Sequence, residues 1–504
     1  MCGIAAICGR QDEALVRRMM ALQTHRGPDQ EGLHHAASAT LGHRRLSIVD
    51  LENGRQPLLS EDGTRAIIAN GEIYNAPSLL DALGKRHRFR SRSDSESALH
   101  LYEELGLATP RHLEGMFSLV IADGRDFLAL RDPLGIKPLY VGSSGGDLVF
   151  ASEIKVLAGL AEEIRPFPPG YCYHSSFGFR PYRVLPERDP RRLSVKAGCR
   201  LVRETLEDAV VKRLMGDVPV GVFLSGGLDS SLIAALARRH VEELHSFSVG
   251  VEGSADLEAA RRVARFLGTR HHEHVLSAEE VRAALPEILW HLESFDQDLV
   301  RSAIPCWFTA RLAAGHVKVV LTGEGADELF AGYAYHRAIG NPVRLHRELH
   351  RLVRNLHHTN LQRVDRLTMA HSVEARVPFL DLGMVDLGLT VPPHLKIAPA
   401  ADGEPVEKWL LRRSGEELLP PEIVWRRKEQ FDEGSGTLRL LEEVLPGWMD
   451  EAEITAHARR HADAALRSRE ESLYHRLLMD SLPSPEPVLR NVARWAPGNA
   501  AGFV

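Results

Sequence analysis

Val218–His240, VPVGVFLSGGLDSSLIAALARRH, passes from a buried apolar run through a glycine turn into text with helical spacing. The same order returns in His245–Val251, HSFSVGV, followed by Asp256–Gly268, DLEAARRVARFLG. His271–Ser277, HHEHVLS, and Val317–Gly325, VKVVLTGEG, add two more strands separated by helical text. Repetition of strand and helix in this way predicts an α/β unit built on a parallel, doubly wound sheet. Such sheets bind ligands beyond the carboxyl ends of their strands, so the loops that follow the strands are where chemistry is expected.

The first of those loops is Leu224–Ser231, LSGGLDSS. Two adjacent glycines let the backbone approach a ligand closely, and the helix that follows offers unpaired amides to an anion. Phosphate is the natural guest. No GxxxxGK[ST] string is present, which argues against a Walker loop and its γ-phosphate chemistry. Alone, the stretch also reads as a glycine turn whose Ser and Asp cap a helix.

Upstream, the rhythm differs. From Met1 to about Tyr182 short strands alternate with turns: ATLGHRRLSIV, TRAIIANGEIYN, MFSLVIADGRDFLALRD and DLVFAS. The polar stretch Leu185–Gly198, LPERDPRRLSVKAG, separates the halves and sets a boundary near Arg192, with domains expected over 2–190 and 195–504. Beyond about Tyr333 the text reads as mainly helical, and no internal repeat is evident. Arg344–His358, RLHRELHRLVRNLHH, reads as an amphipathic helix, its histidines too irregularly spaced for a metal tract.

A chain of 504 residues exceeds what one core usually serves. Its 44% hydrophobic and 26% charged residues are ordinary for a globular protein. A net charge of -6 offers no basic excess to a nucleic acid, so small-molecule substrates are expected instead. MCGIAAICGRQDEAL lacks a basic leader region and no run approaches a membrane span, which predicts a soluble, cytoplasmic protein with no membrane partner. Five scattered cysteines without CxxC spacing argue against a disulfide framework or structural zinc.

Cys2 follows Met1 directly, so removal of Met1 would put a thiol and an α-amine on one residue. An amine with a pKa of about 7.7 to 8.0 can take the thiol proton near neutrality and leave a thiolate to attack a carboxamide. A cysteine at this position also reads simply as a small apolar residue entering a strand.

MCGIAAI, HRGPDQEG, GHRRLSIVD, NGEIYN, SDSE, LEGMFSLVIAD and RDPLGIKPLY occur in order through the first half, which together resembles a class II glutaminase domain. LSGGLDSS, HSFSVGVEG, LTGEGADELFAGY, VDRLTMAHSVEARVPFLD and WRRKEQF follow in the order of the asparagine synthetase B family. The resemblance implies an N-terminal α+β Ntn-hydrolase domain, an αββα sandwich, and a C-terminal α/β domain of the adenine-nucleotide α-hydrolase (PP-loop) type with a helical C-terminal part. It implies ATP as substrate, Mg²⁺ as cofactor and a homodimer.

Carried over, the family pattern makes Cys2 the nucleophile, with Asn70 and Gly71 as the oxyanion hole. Arg45, with Ile48 beside it, would clasp the carboxylate of glutamine, while Glu72 and Asp94 would take its ammonium. One departure from the pattern is Arg92, where the family carries Gly before the Ser-Asp pair. Ser225, Gly226, Gly227, Asp229 and Ser230 would hold pyrophosphate, and Phe223, Leu224, Val249, Thr322 and Gly323 the adenosine. Asp229 and Asp327 would bind Mg²⁺, Glu324 would act on incoming ammonia, and Lys428 would stabilise charge at the α-phosphoryl group. The acceptor segment FDQDLVRSAIP keeps Arg301 for the acceptor carboxylate but carries Asp298 and Leu299 where relatives are Thr-rich.

The implied reaction is ATP- and glutamine-dependent amidation of aspartate. Another carboxylic acid as acceptor, a cyclase like β-lactam synthetase, or a plain glutaminase are the alternatives. Cys2 weakens the cyclase reading; intact SGGLDSS, Glu324 and Lys428 weaken the glutaminase reading.

Overall fold

The computed structural model describes residues 2–399, 403–427, 431–445 and 448–495. Its first half is two six-stranded antiparallel sheets laid face to face. One sheet runs, edge to edge, Glu162–Pro166, Tyr140–Ser144, Asp147–Ala151, Cys2–Cys8, Ala39–Arg45 and Gln30–Ala36. The other runs Gly178–Pro181, Tyr171–His174, Asp126–Arg131, Gly115–Asp123, Arg65–Ile73 and Leu58–Leu59.

Cys2–Cys8 shows why the layers form. All seven of its residues are buried, because both faces of the strand are covered. Ile4, Ala6 and Cys8 join Leu41, Ile68, Val120 and Phe150 between the sheets, while Ala5 and Ile7 face Val16 and Met20 of helix Glu13–Ala21. Helices Ala76–Leu83 and Asp94–Leu105 cover the outer face of the second sheet through Ala98, Leu99 and Tyr102. The result is the αββα sandwich expected of an Ntn-hydrolase-type domain.

The second half carries a five-stranded parallel sheet in the order Arg270–Val275, His245–Gly250, Val220–Phe223, Val319–Leu321, Glu374–Arg376. The chain starts in the middle, winds to one edge, then returns to build the other side. The strand order therefore reverses between Val220–Phe223 and Val319–Leu321, and the loops leaving those two strands open a crevice. Four of the five strands are legible in the sequence. The fifth, Glu374–Arg376, lies in text read as mainly helical: three residues are too few for a periodicity to register, and the strand exists because it pairs with Val319–Leu321. Helices dominate the remainder, among them the amphipathic Pro342–Asn355, which buries Leu345, Leu349 and Val353. Among the described residues no helix is long and apolar enough to cross a membrane.

No strand or helix spans 182–194, and the next helix, Val195–Lys212, begins with Ser194 accepting from the Ala197 amide at 3.3 Å. The two halves meet through buried charge. Arg26, fully buried, pairs with Glu153 of its own half at 2.9 Å and with Asp365 of the other at 2.9 Å. Arg366 crosses back to the Ser152 carbonyl at 2.7 Å and pairs with Glu293 at 2.8 Å. Ions withdrawn from water in this way are tolerable only when each has its partners, and here charges from both halves supply them.

Candidate active sites

Cys2 opens a central strand of the first sheet and lies opposite Arg45 in the antiparallel register. Its backbone nitrogen donates to Asn70 Oδ1 at 2.9 Å, and its carbonyl accepts from Arg26 Nε at 3.1 Å. Burial pushes the thiol above its usual range, against the pull of the amino terminus and Arg45. A base at the same spot is therefore needed to make a thiolate.

Asn70 is fully buried, and its Nδ2 has no hydrogen-bond partner. An amide donor kept dry and unused beside a thiol is the arrangement an oxyanion hole requires. Gly71 follows at φ +132°, and a Cβ there would stand 1.9 Å from the Met116 carbonyl oxygen. Only glycine lets the strand turn this way at such close approach.

Glu72 and Asp94 are buried carboxylates. Asp94 accepts from the Ile73 amide at 2.6 Å, yet burial raises it to about 6. Burial and Glu374 hold Glu72 well above the usual carboxylate range, and its Oε2 has no hydrogen-bond partner. Two acids that burial and Glu374 hold back from ionisation would welcome an ammonium group. Arg45 is held by Gln30 Oε1 at 2.7 Å and the carbonyls of Val49 and Asp50, both at 2.8 Å. These neutral acceptors orient the guanidinium without neutralising it, which suits it to an incoming carboxylate. Ile48 is buried where the halves touch, its carbonyl accepting from the Asp217 amide at 2.9 Å.

The crevice of the parallel sheet forms a cavity of about 260 Å³. Phe223, Leu224, Ser225, Gly227, Asp229, Ser230, Val249, Thr322, Gly323, Glu324 and Asp327 all line it. Gly226 turns beneath the loop at φ +69°, where a Cβ would strike the Ala260 amide at 2.4 Å. Helix Leu228–Arg238 starts here with no side chain capping its first turn, which leaves its amides to an anion.

The structure adds residues the sequence reading missed. Lys408 Nζ lies 2.5 Å from Asp229 Oδ2 and 2.5 Å from Asp327 Oδ1. It comes from 179 residues beyond Asp229, so no local pattern could have joined them. Arg363 pairs with Glu324 at 2.5 Å, and Arg426 pairs with Asp256 at 2.7 Å on the cavity wall. Two carboxylates converging on one cation, with Asp229 Oδ1 buried and lacking a hydrogen-bond partner, form an oxygen set that fits a hard divalent ion such as Mg²⁺. Lys428 lies outside the described residues; its neighbour Arg427 lines the cavity.

Arg301 lies beside the cavity, 3.8 Å from the lining carboxylate of Asp298. It is not among the lining residues, and its guanidinium instead holds Glu470 through bonds of 2.8 and 3.0 Å. Asp298, three positions earlier, lines the cavity instead.

Comparison with known proteins accords with this geometry. A family model described as "Glutamine amidotransferase domain" matches residues 1–166, and one described as "Asparagine synthase" matches 201–343 and 338–486. A protein of Triphysaria versicolor named asparagine synthetase [glutamine-hydrolyzing] is 40% identical over 92% of this chain and 80% of its own length. The Arabidopsis thaliana protein of that name numbered 3 is 40% identical over 92% and 82%, and that of Zea mays 38% over 99% and 89%. Fold and matches thus define a glutamine amidotransferase domain joined to an ATP-type α/β domain. The chain belongs to the asparagine synthase family.

Proposed function

We propose that this protein is a glutamine-hydrolysing asparagine synthetase: it converts ATP, aspartate, glutamine and water into AMP, diphosphate, asparagine and glutamate. The observation that supports this reading is the presence of two sites in one chain, Cys2 against Asn70 and LSGGLDSS against Lys408.

In the first site, Arg45 holds the carboxylate of glutamine, and Glu72 and Asp94 hold its ammonium. With Met1 removed, the Cys2 amine takes the thiol proton and sulfur attacks the carboxamide carbon. Asn70 Nδ2 and the Gly71 amide receive the oxyanion, ammonia leaves, and water then splits the thioester to glutamate. In the second site, the loop amides and Ser225 cradle the phosphates while Lys408 and Arg426 balance their charge. Mg²⁺, held by Asp229 and Asp327, would supply further neutralisation of the pyrophosphate. An acceptor carboxylate oxygen attacks the α-phosphorus and pyrophosphate departs; ammonia then attacks the acyl carbon and AMP departs. Glu324, fixed by Arg363, is placed to orient the ammonia or take its proton.

Asp298 on the cavity wall, with Arg301 turned to Glu470, favours a second reading of the acceptor as a carboxylic acid other than aspartate. Incubation with ATP, Mg²⁺, glutamine and aspartate decides between them: asparagine and AMP formed in step support the first, and glutamate formed without asparagine overturns it. The same reading includes a cytoplasmic location and a homodimer, the latter to be tested by sedimentation.

A further inference from the structure

We propose that His245, His272 and His316 form a binding site for a divalent transition-metal ion of the zinc class. The site stands apart from the amidation reading and does not rest on it. His245 begins one strand of the parallel sheet and His272 lies in the next strand, on the same face: the register pairs His245 with Arg270 and Phe247 with His272. His316 follows helix Gln297–Ala314, which packs on both strands, just beyond its capping Gly315. Three separate segments thus bring imidazoles to one point.

His245 Nδ1 lies 3.0 Å from His272 Nε2, and the rings of His272 and His316 have centroids 3.8 Å apart. One ring nitrogen of each residue falls within 4.8 Å of the other two. Zinc–nitrogen bonds of about 2.0–2.1 Å in a tetrahedron set nitrogens roughly 3.3 Å apart, so binding asks only for rotation of the exposed His316 and a small parting of the other pair. Glu243, 3.6 Å from His245 Nε2, favours the proton on that nitrogen and turns the Nδ1 lone pair toward His272. Neighbouring His271 faces away, bonded to Ser246 Oγ at 2.9 Å.

The 3.0 Å contact between His245 Nδ1 and His272 Nε2 needs an unprotonated nitrogen on one of the two rings, the form in which imidazole ligates. An all-imidazole set suits Zn²⁺, Ni²⁺ or Cu²⁺ and not Mg²⁺. The site also lies at the amino ends of the strands, opposite the nucleotide crevice, so it is distinct from the Asp229–Asp327 pair. Bound there, an ion would clip the end of the long helix to the sheet.

The test is calorimetric titration of chelator-stripped Cys2→Ala protein with Zn²⁺, and with Co²⁺ followed by its visible spectrum; the background variant removes the reactive thiol as a competing ligand. One ion per chain, a nitrogen-ligand cobalt spectrum, no competition from excess Mg²⁺ and binding weakened at least about tenfold in His316→Ala are expected. His316 is exposed, so its loss leaves folding intact. Absence of saturable binding, or unchanged affinity in both His316→Ala and His245→Ala, would overturn the proposal.

Discussion

Arg376 Nη2 lies 3.0 Å from Glu72 Oε1, joining the fifth strand of the parallel sheet to the pocket beside Cys2. Both side chains are buried, and Arg376 is held further by Glu374 at 2.6 Å and by the carbonyl of Arg213 at 2.8 Å. The domain that is proposed to use ammonia therefore shapes the site proposed to release it. Arg376→Met should remove the ion-pair partner that Glu72 and Glu374 share and destabilise the protein by roughly 3–5 kcal/mol. Thermal unfolding measures that cost. Glutamine KM should rise while ammonia-dependent synthesis persists, and Arg376→Lys should recover part of both.

Cys2→Ala should reduce glutamine hydrolysis by roughly three orders of magnitude or more, as loss of a nucleophile does. Amide synthesis from added ammonium should continue, because the thiol serves one site alone. Parallel assays of glutamate and amide product check this; joint loss of both activities in a folded variant contradicts the two-site scheme.

Asn70→Ala removes the dry Nδ2 donor and the acceptor that anchors the Cys2 nitrogen. A fall in glutaminase kcat of about 10²–10³ is expected with little change in synthesis from ammonia. An effect confined to KM would show that Asn70 holds substrate and not the oxyanion.

Lys408→Met should abolish pyrophosphate release and leave hydrolysis of glutamine at Cys2 intact, since its contacts are to Asp229 and Asp327. Pyrophosphate and glutamate assayed in the same sample distinguish this from general unfolding, which would remove both.

Asp94 should make the proposed glutamine site pH-dependent. Its carboxyl ionises at the ordinary 3.8 in the unfolded chain and at about 6 when folded, so the folded state binds more protons between those values. Stability from this group is therefore lost as pH rises from about 4 to about 6, by about 3 kcal/mol. Asp94→Asn should flatten that part of the pH–stability curve. Glutamine, whose ammonium favours the carboxylate, should bind more weakly as pH falls through about 6, a dependence the variant lacks.

The parallel sheet was legible because three of its first four strands carry an apolar run and turn and HHEHVLS falls where the repeating strand–helix order needs a strand, and LSGGLDSS marks the crevice by glycine and hydroxyl chemistry alone. The strand Glu374–Arg376 and the partner Lys408 were not, because a three-residue strand and a single lysine acquire meaning only from what lies beside them.

Local pattern in the amino-acid sequence alone determined the two halves, their contrasting strand rhythms, the placing of Cys2 at the start of a buried strand and the glycine turn at Gly226–Gly227 that opens a helix. Tertiary structure decided which charges face which. Arg301 and Asp298 sit three residues apart on one helix, yet one is drawn to Glu470 and the other lines the cavity. The packing of Arg469–Ser481, which brings Glu470 to Arg301, sets that division, and an ion's role depends on distances of a few ångströms across segments far apart in the chain.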